Sequence, residues 1–130
     1  MKISVKQLIN NAMAEIETIS VEQASKLVDD DNSVIVDIRD IRELYREGKI
    51  PGALHAPRGM LEFWVDPDSE YHRDIFSSGK TFVLYCAKSH RSALATQALK
   101  NMGLEPICHI QGGFEAWSQA GLSTEAVAKK

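Results

Sequence analysis

The sequence predicts an α/β fold, in which a parallel sheet carries helices on both faces. Short apolar runs rich in β-forming residues, at 33–38, 81–85 and 106–110, are typical of buried strands. Helical patterns follow these runs, most clearly at 92–102. Repeated strand–helix alternation favours a parallel sheet, because each helix returns the chain to the edge where the next strand begins.

Composition limits the function classes. A chain of 130 residues suits one domain, and it has no apolar run near the roughly 20 residues that span a bilayer. The net charge is −3 without a basic stripe, so we expect no nucleic-acid or membrane partner. Polar residues interrupt the N-terminal segment, which is therefore not a secretory signal. Two cysteines do not form a disulfide framework, and we expect a cytoplasmic protein.

The first half of the chain begins with a helical extension. Residues 5–17 are predicted to form an amphipathic helix, which packs on the domain or mediates self-association as a homodimer. Residues 18–19 form a very short strand, after which Ser20 and Gln23 have the spacing of a capping box. The next predicted elements are a strand at 33–38, a helix at 41–47 stopped by Gly48, a strand at 53–56 and a helical turn at 60–64.

The second half follows the same alternation. Residues 65–78 are irregular by pattern, with a helical turn at 71–76. The strands at 81–85 and 106–110 are each followed by a helix, the first ended by Gly103 and the second by Gly121. Residues 124–130 have no stop signal, and we expect them to be frayed. These boundaries predict a helical extension at 1–17, a domain at 18–123 and a C-terminal tail at 124–130.

The segment at 81–92 carries the candidate chemistry. Cys86 comes at the carboxyl end of a predicted strand and faces the start of a helix, where free N–H groups and the helix dipole favour an anion. We expect a thiol there to ionise readily, and the thiolate is the reactive form. If the loop curls inward, its N–H groups surround whatever is bonded to the sulfur. Arg91 then holds the loop or faces an anion, and Lys88 and His90 add charge at the rim.

Two reactions suit such a loop: phosphoryl transfer through a thiophosphate, and sulfur transfer through a persulfide. Loop length distinguishes them. In cysteine phosphatases the arginine stands one place later than Arg91, at the position that Ser92 occupies here. Because a ring around one sulfur can be smaller than a ring around a tetrahedral phosphate, the short loop favours sulfur.

Several other polar residues have structural interpretations that we prefer. Asp37 and Arg39 follow a strand, and an ion pair or a helix cap explains them better than a binding site. His55 is interpreted as a packed, hydrogen-bonded residue. Cys108 is interpreted as a small apolar residue of a strand, the alternative being a resolving partner of Cys86. The acidic run at 29–31 is a solvated turn, and we predict no metal site.

The glycine pair at 112–113 indicates a tight turn or a close approach of another backbone. Phe63 and Trp64 are interpreted as core anchors, with a pocket wall as the alternative.

Four motifs together resemble the single-domain rhodanese family, over about residues 19–122. They lie at 36–39, 48–53, 86–92 and 112–117, the last followed by Ala120 and Gly121. The resemblance implies a small α/β domain with a five-stranded, mostly parallel sheet. We predict no cofactor. The resemblance also implies a persulfide on Cys86, formed from thiosulfate or another sulfane donor and passed to cyanide or a thiol. The substrate-binding residues that we predict with it are Ala87, Lys88, Ser89, His90, Arg91, Ser92 and Arg58.

The chain departs from the family pattern at two positions. Ser89 stands where the loop often has glycine, and a positive φ there would cost on the order of 1 kcal/mol. Either the loop adjusts or the Ser89 hydroxyl joins the cradle. Lys49 replaces the histidine of the family's Gly-His-Ile turn. A non-catalytic rhodanese-like binding or regulatory module is the alternative function, followed by a cysteine phosphatase or arsenate reductase.

Overall fold

The computed structural model describes all residues from Met1 to Lys130. Its centre is a five-stranded sheet in the order β1-β5-β4-β2-β3, and every pairing is parallel. The predicted five-stranded sheet is therefore confirmed. The strands are β1 (Glu17–Ile19), β2 (Ser33–Asp37), β3 (Leu54–His55), β4 (Thr81–Tyr85) and β5 (Ile107–Ile110).

Six α-helices flank the sheet, which confirms the predicted fold class. They are α1 (Val5–Glu15), α2 (Val21–Ser25), α3 (Ile41–Glu47), α4 (Leu61–Val65), α5 (His90–Met102) and α6 (Gly113–Gln119). Short 3₁₀ helices occupy Arg58–Met60 and Asp74–Ser77. The capping box of Ser20 and Gln23 is present at the start of α2. Helix α5 begins at His90, two residues before the predicted start.

The core has two halves, one on each face of the sheet, because successive side chains of a strand point to opposite faces. On one face, Val83 and Tyr85 of β4 pack with residues of α2 and α6. On the other face, Phe82 and Leu84 pack with residues of α4 and α5. Strand β4 is buried on both faces, which explains its continuous apolar sequence.

The N-terminal extension packs on the domain. Helix α1 lies against α5, and its Ala12 is fully buried. Two bonds from α5 fix its end: Lys100 Nζ donates to the carbonyl of Glu15 at 2.6 Å, and Gln97 donates to the carboxylate of Glu15 at 2.9 Å. Val5 and Leu8, in the first half of α1, stay exposed.

The tail differs from the expectation of a frayed segment. Glu125 forms an antiparallel bridge with Lys49, with N–H···O distances of 2.9 and 2.8 Å. Its carboxylate also accepts the Gly52 N–H at 3.1 Å, which lowers the pKa of Glu125. The partners come from a turn more than 70 residues earlier, so no local pattern could reveal them. None of the helices is both long and apolar enough to cross a membrane.

Candidate active site

Cys86 follows the last residue of β4 and is 1% exposed. It packs with the core half that contains α4 and α5. Its Sγ accepts the Ser92 N–H from the first turn of α5 at 3.4 Å, within the range of a hydrogen bond to sulfur. The thiol therefore faces the start of α5, as the sequence predicts, at the carboxyl edge of the central strand.

The backbone of the loop turns its carbonyl groups towards α6. The Phe114 N–H donates to the carbonyl of Cys86 at 2.8 Å, and the Glu115 N–H donates to that of Ala87 at 2.9 Å. In a trans peptide the carbonyl and the following N–H point in opposite directions. The N–H groups of Ala87 and Lys88 therefore point away from α6, towards the face of the sheet that holds Cys86. This arrangement suits a cradle of donors around a group bonded to the sulfur.

The glycine pair lets α6 approach the loop closely. Gly113 has φ +57°, and a Cβ at this position would lie 2.4 Å from the carbonyl oxygen of Cys86 and 2.8 Å from that of Lys88. Of the two interpretations of the glycine pair, a close backbone approach is therefore confirmed. Its partner is the cysteine loop itself.

Ser89 adopts a backbone that any residue accepts. Its φ of −169° is extended, so the predicted cost of a positive φ does not arise. The hydroxyl accepts the Gly112 N–H at 2.7 Å. The side chain thus ties the loop to the glycine turn at the start of α6.

Arg91 extends from α5 towards α3. Its guanidinium donates to both carboxylate oxygens of Glu43, at 2.9 and 3.1 Å. This bond holds the pKa of Glu43 below its ordinary value and is the main cause that raises the pKa of Arg91. The bidentate pair fixes the start of α5 to α3, so Arg91 holds the loop region in this structure.

The remaining predicted site residues are Lys88, His90 and Arg58. Lys88 is exposed on the loop, and His90 is exposed at the first position of α5. Arg58 follows β3, where its N–H donates to the carbonyl of Ile38 at 3.1 Å and its side chain pairs with Glu62 at 2.8 Å. Phe63 is 52% exposed and makes an edge contact with the ring of Tyr71, so its interpretation as a core anchor is wrong.

A buried ion pair stabilises the edge of the sheet beside the loop. Arg39 and Asp37 are both fully buried, and Arg39 donates to the two Asp37 oxygens at 2.7 to 3.2 Å. Arg39 also bonds to Glu47 and to the carbonyl of Gly48, and it lies 4.3 Å from the ring centre of Phe114. The structural interpretation of this pair is confirmed. His55 is likewise a hydrogen-bonded residue, with Nε2 2.7 Å from the carbonyl oxygen of Arg39.

Cys108 and Cys86 are free thiols on opposite faces of the sheet. Cys108 pairs with Val83, three residues before Cys86, which places the two cysteine Cα atoms about 10 Å apart along the strand direction. A disulfide requires about 7 Å or less. The alternative role as a resolving cysteine is therefore wrong, and burial raises the pKa of Cys108 to about 12.

The sequence analysis did not single out His109. It is fully buried in β5, with Nδ1 2.9 Å from the Ser92 hydroxyl and Nε2 2.9 Å from the Thr18 hydroxyl. Burial lowers the pKa of His109 to about 4. The only signal in the sequence is a histidine inside an apolar strand, which by itself does not indicate a partner.

The fold is a parallel α/β domain, and its cysteine loop lies between the N-termini of α5 and α6. These two features define the class of protein to which the chain is compared. The model of the rhodanese-like domain matches residues 20–120. The chain belongs to this family. It is 38% identical over 107 residues to an uncharacterised protein of Synechocystis, a match that covers 82% of this chain and 55% of that protein. The chain thus spans about half the length of this curated relative.

Two solved structures resemble the chain along almost its whole length. One is a protein of unknown function from Rhodopseudomonas palustris, named a possible tyrosine phosphatase. It is 47% identical, with a TM-score of 0.93 and 96% coverage of both chains. The other is the polysulfide-sulfur transferase homodimer of Wolinella succinogenes, 26% identical with a TM-score of 0.71. That match covers 95% of this chain and 88% of the other.

Proposed function

We propose that the protein is a sulfurtransferase that carries sulfane sulfur as a persulfide on Cys86. The observation that carries this proposal is the short loop around Cys86, with the Ser92 N–H bonded to the sulfur at 3.4 Å. The likeness to the polysulfide-sulfur transferase of Wolinella succinogenes supports it. The sulfur donors that we propose are thiosulfate and polysulfide, and the proposed acceptor is cyanide or a thiol.

The proposed chemistry has two displacements. The Cys86 thiolate attacks the outer sulfur of thiosulfate, so that a new S–S bond forms, the S–S bond of thiosulfate breaks and sulfite leaves with its electron pair. The terminal sulfur of the persulfide carries the negative charge, which the loop N–H groups and the first turn of α5 stabilise. Cyanide or a thiolate then attacks that terminal sulfur, and the Cys86 thiolate is the leaving group.

Intact-mass measurement after incubation with thiosulfate, and separately with polysulfide, tests the proposal. We expect a gain of one sulfur atom, about 32 Da, that a reductant removes. Cys86→Ala should show no gain, whereas Cys108→Ala should match the wild type because that thiol lies on the other face. Addition of cyanide should release thiocyanate. No adduct with either donor would overturn the sulfurtransferase and favour the non-catalytic binding module.

A cysteine phosphatase is the second candidate, because the Rhodopseudomonas palustris neighbour is named a possible tyrosine phosphatase. Two features of the loop argue against it. The place of a phosphatase arginine holds Ser92, whose side chain is fully buried and bonded to Ser89 and His109. Arg91 is engaged by Glu43 in a bidentate pair. Cys86-dependent hydrolysis of an aryl phosphate, without a persulfide, would support the phosphatase instead.

We also propose that two copies of the chain associate through α1. The compartment that we propose is a reducing one, such as the cytoplasm. Val5 and Leu8 of α1 are 64% and 44% accessible, and the Wolinella succinogenes neighbour is named a homodimer. Two free thiols suit reducing conditions. Light scattering should give a dimer mass that Leu8→Glu reduces to the monomer mass. A monomeric wild type at high concentration would contradict this assembly.

A further inference from the structure

His109 lies on the face of the sheet that carries Cys86. It alternates with Cys108 along β5, and Cys108 packs in the opposite half of the core. The imidazole is fully buried between β1 and the first turn of α5. A buried polar ring is costly unless its nitrogens are bonded, and an apolar side chain would fill the space without that cost. The ring therefore suggests a role beyond packing.

Both nitrogens of His109 have a partner. Nδ1 is 2.9 Å from the Ser92 hydroxyl, and Nε2 is 2.9 Å from the Thr18 hydroxyl. The Ser92 hydroxyl in turn donates to the carbonyl of Ser89 at 3.1 Å. A hydroxyl has one proton to give, so a neutral imidazole that donates from Nδ1 and accepts at Nε2 satisfies all three contacts. Burial keeps the imidazole neutral near pH 7, in agreement with this arrangement.

The same serine reaches the sulfur through its backbone, because the Ser92 N–H donates to Cys86 Sγ at 3.4 Å. We propose that His109 is a positioning residue: its Nδ1–H holds Ser92, and thereby the end of the loop at Ser89, so that the donors around Cys86 Sγ keep their geometry. This inference rests on the proposed sulfurtransferase function. His109 does not touch the sulfur and takes no proton from it.

Two substitutions separate the two nitrogens of His109. The amide nitrogen of asparagine occupies about the place of Nδ1 and can donate to Ser92, whereas that of glutamine occupies about the place of Nε2 and cannot. In a Cys108→Ala background, where Cys86 is the only thiol, the iodoacetamide alkylation rate and the rate of persulfide formation are measured for wild type, His109→Asn and His109→Gln. Urea unfolding gives the folded fraction of each.

We expect His109→Gln to slow both reactions about tenfold per folded molecule, the size expected for one lost buried hydrogen bond. The KM for thiosulfate should stay within about twofold, because the contact acts on the loop and not on the donor. His109→Asn should restore both rates to within about twofold of the wild type. Ser92→Ala, which keeps the backbone N–H, should slow the reactions as His109→Gln does, and the double variant should be no slower.

Equal rates for His109→Gln and wild type would overturn the proposal. So would a folded His109→Asn variant as slow as His109→Gln, or rate losses in the double variant that multiply. If His109→Gln does not fold, Ser92→Ala alone decides through the same two rates. Alkylation needs no sulfur donor, so absence of persulfide in the wild type would reject sulfur transfer and still leave the positioning role tested.

Discussion

Gly113→Ala offers a direct test of the contact between α6 and the cysteine loop. The added Cβ would lie 2.4 Å from the carbonyl oxygen of Cys86, 2.8 Å from that of Lys88 and 2.9 Å from the carbonyl carbon of Ala87. All three neighbours are backbone atoms, so no side-chain rotation can relieve the clash. To reach ordinary contact the loop must move by about 1 Å, and a shift of that size at a reacting group can cost about 100-fold in rate.

The substitution should also destabilise the fold. A non-glycine residue at φ +57° costs about 1–2 kcal/mol, and overpacking against the loop adds about 1–3 kcal/mol. Gly79→Ala is the matched control, because Gly79 has φ +76° and an added Cβ there would meet no other atom within 4 Å. It precedes β4, at the end of the strand opposite to Cys86. The control therefore carries the backbone cost without the displacement of the loop.

Urea unfolding and the alkylation rate of Cys86 measure the two effects separately. We expect Gly79→Ala to lose about 1–2 kcal/mol of unfolding free energy and to keep the wild-type alkylation rate. Gly113→Ala should lose more stability and, among folded molecules, should be alkylated at Cys86 about 100-fold more slowly. If Gly113→Ala matches Gly79→Ala in both measurements, the close approach does not control the loop and the reasoning fails.

Two further predictions concern buried charge. Arg39→Met should lower the unfolding free energy by about 3–5 kcal/mol in a urea titration, because Asp37 stays buried without its partner. The control is Arg42→Met, which removes an exposed ion pair and should change the unfolding free energy little. Equal losses for the two variants would contradict the prediction. The lowered pKa of His109 means that the unfolded chain binds a proton first, so stability should fall as the pH drops from 6.5 to about 4, by about 3 kcal/mol. A pH–stability curve of His109→Phe parallel to that of wild type would refute the assignment.

The fold was predictable because its signals are local. Strand β4 is a continuous apolar run bounded by polar residues, and α5 ends at Gly103 in the left-handed conformation that glycine adopts readily. Helix α1 has one face of apolar residues and lies against α5, with Ala12 of that face buried. Such patterns lie within a few residues of the element that they specify, so they can be interpreted without knowing which segments of the chain are in contact.

The supports of the site were not predictable, because they depend on which segments meet. Ser89 appears at a position where glycine is expected, yet its hydroxyl bonds to Gly112, 23 residues later. His109 bonds to Thr18, 91 residues earlier, and to Ser92. The partner of Arg91 is Glu43, 48 residues away. A single sequence gives the residue types but not these distances, so only the candidate nucleophile Cys86 and the loop spacing could be predicted.

The contacts around the loop also bear on its selectivity. Spacing along the chain alone does not fix the width of a loop, since a flexible loop can open to admit a larger anion. Here Gly113 packs against the carbonyls of the loop on the α6 side, and the Ser89 hydroxyl bonds to Gly112. Ser92 is held from the other side by His109. A loop fixed from two sides cannot widen around a phosphate without breaking one of these contacts, so tertiary structure keeps the loop small, as the proposed sulfur transfer would require.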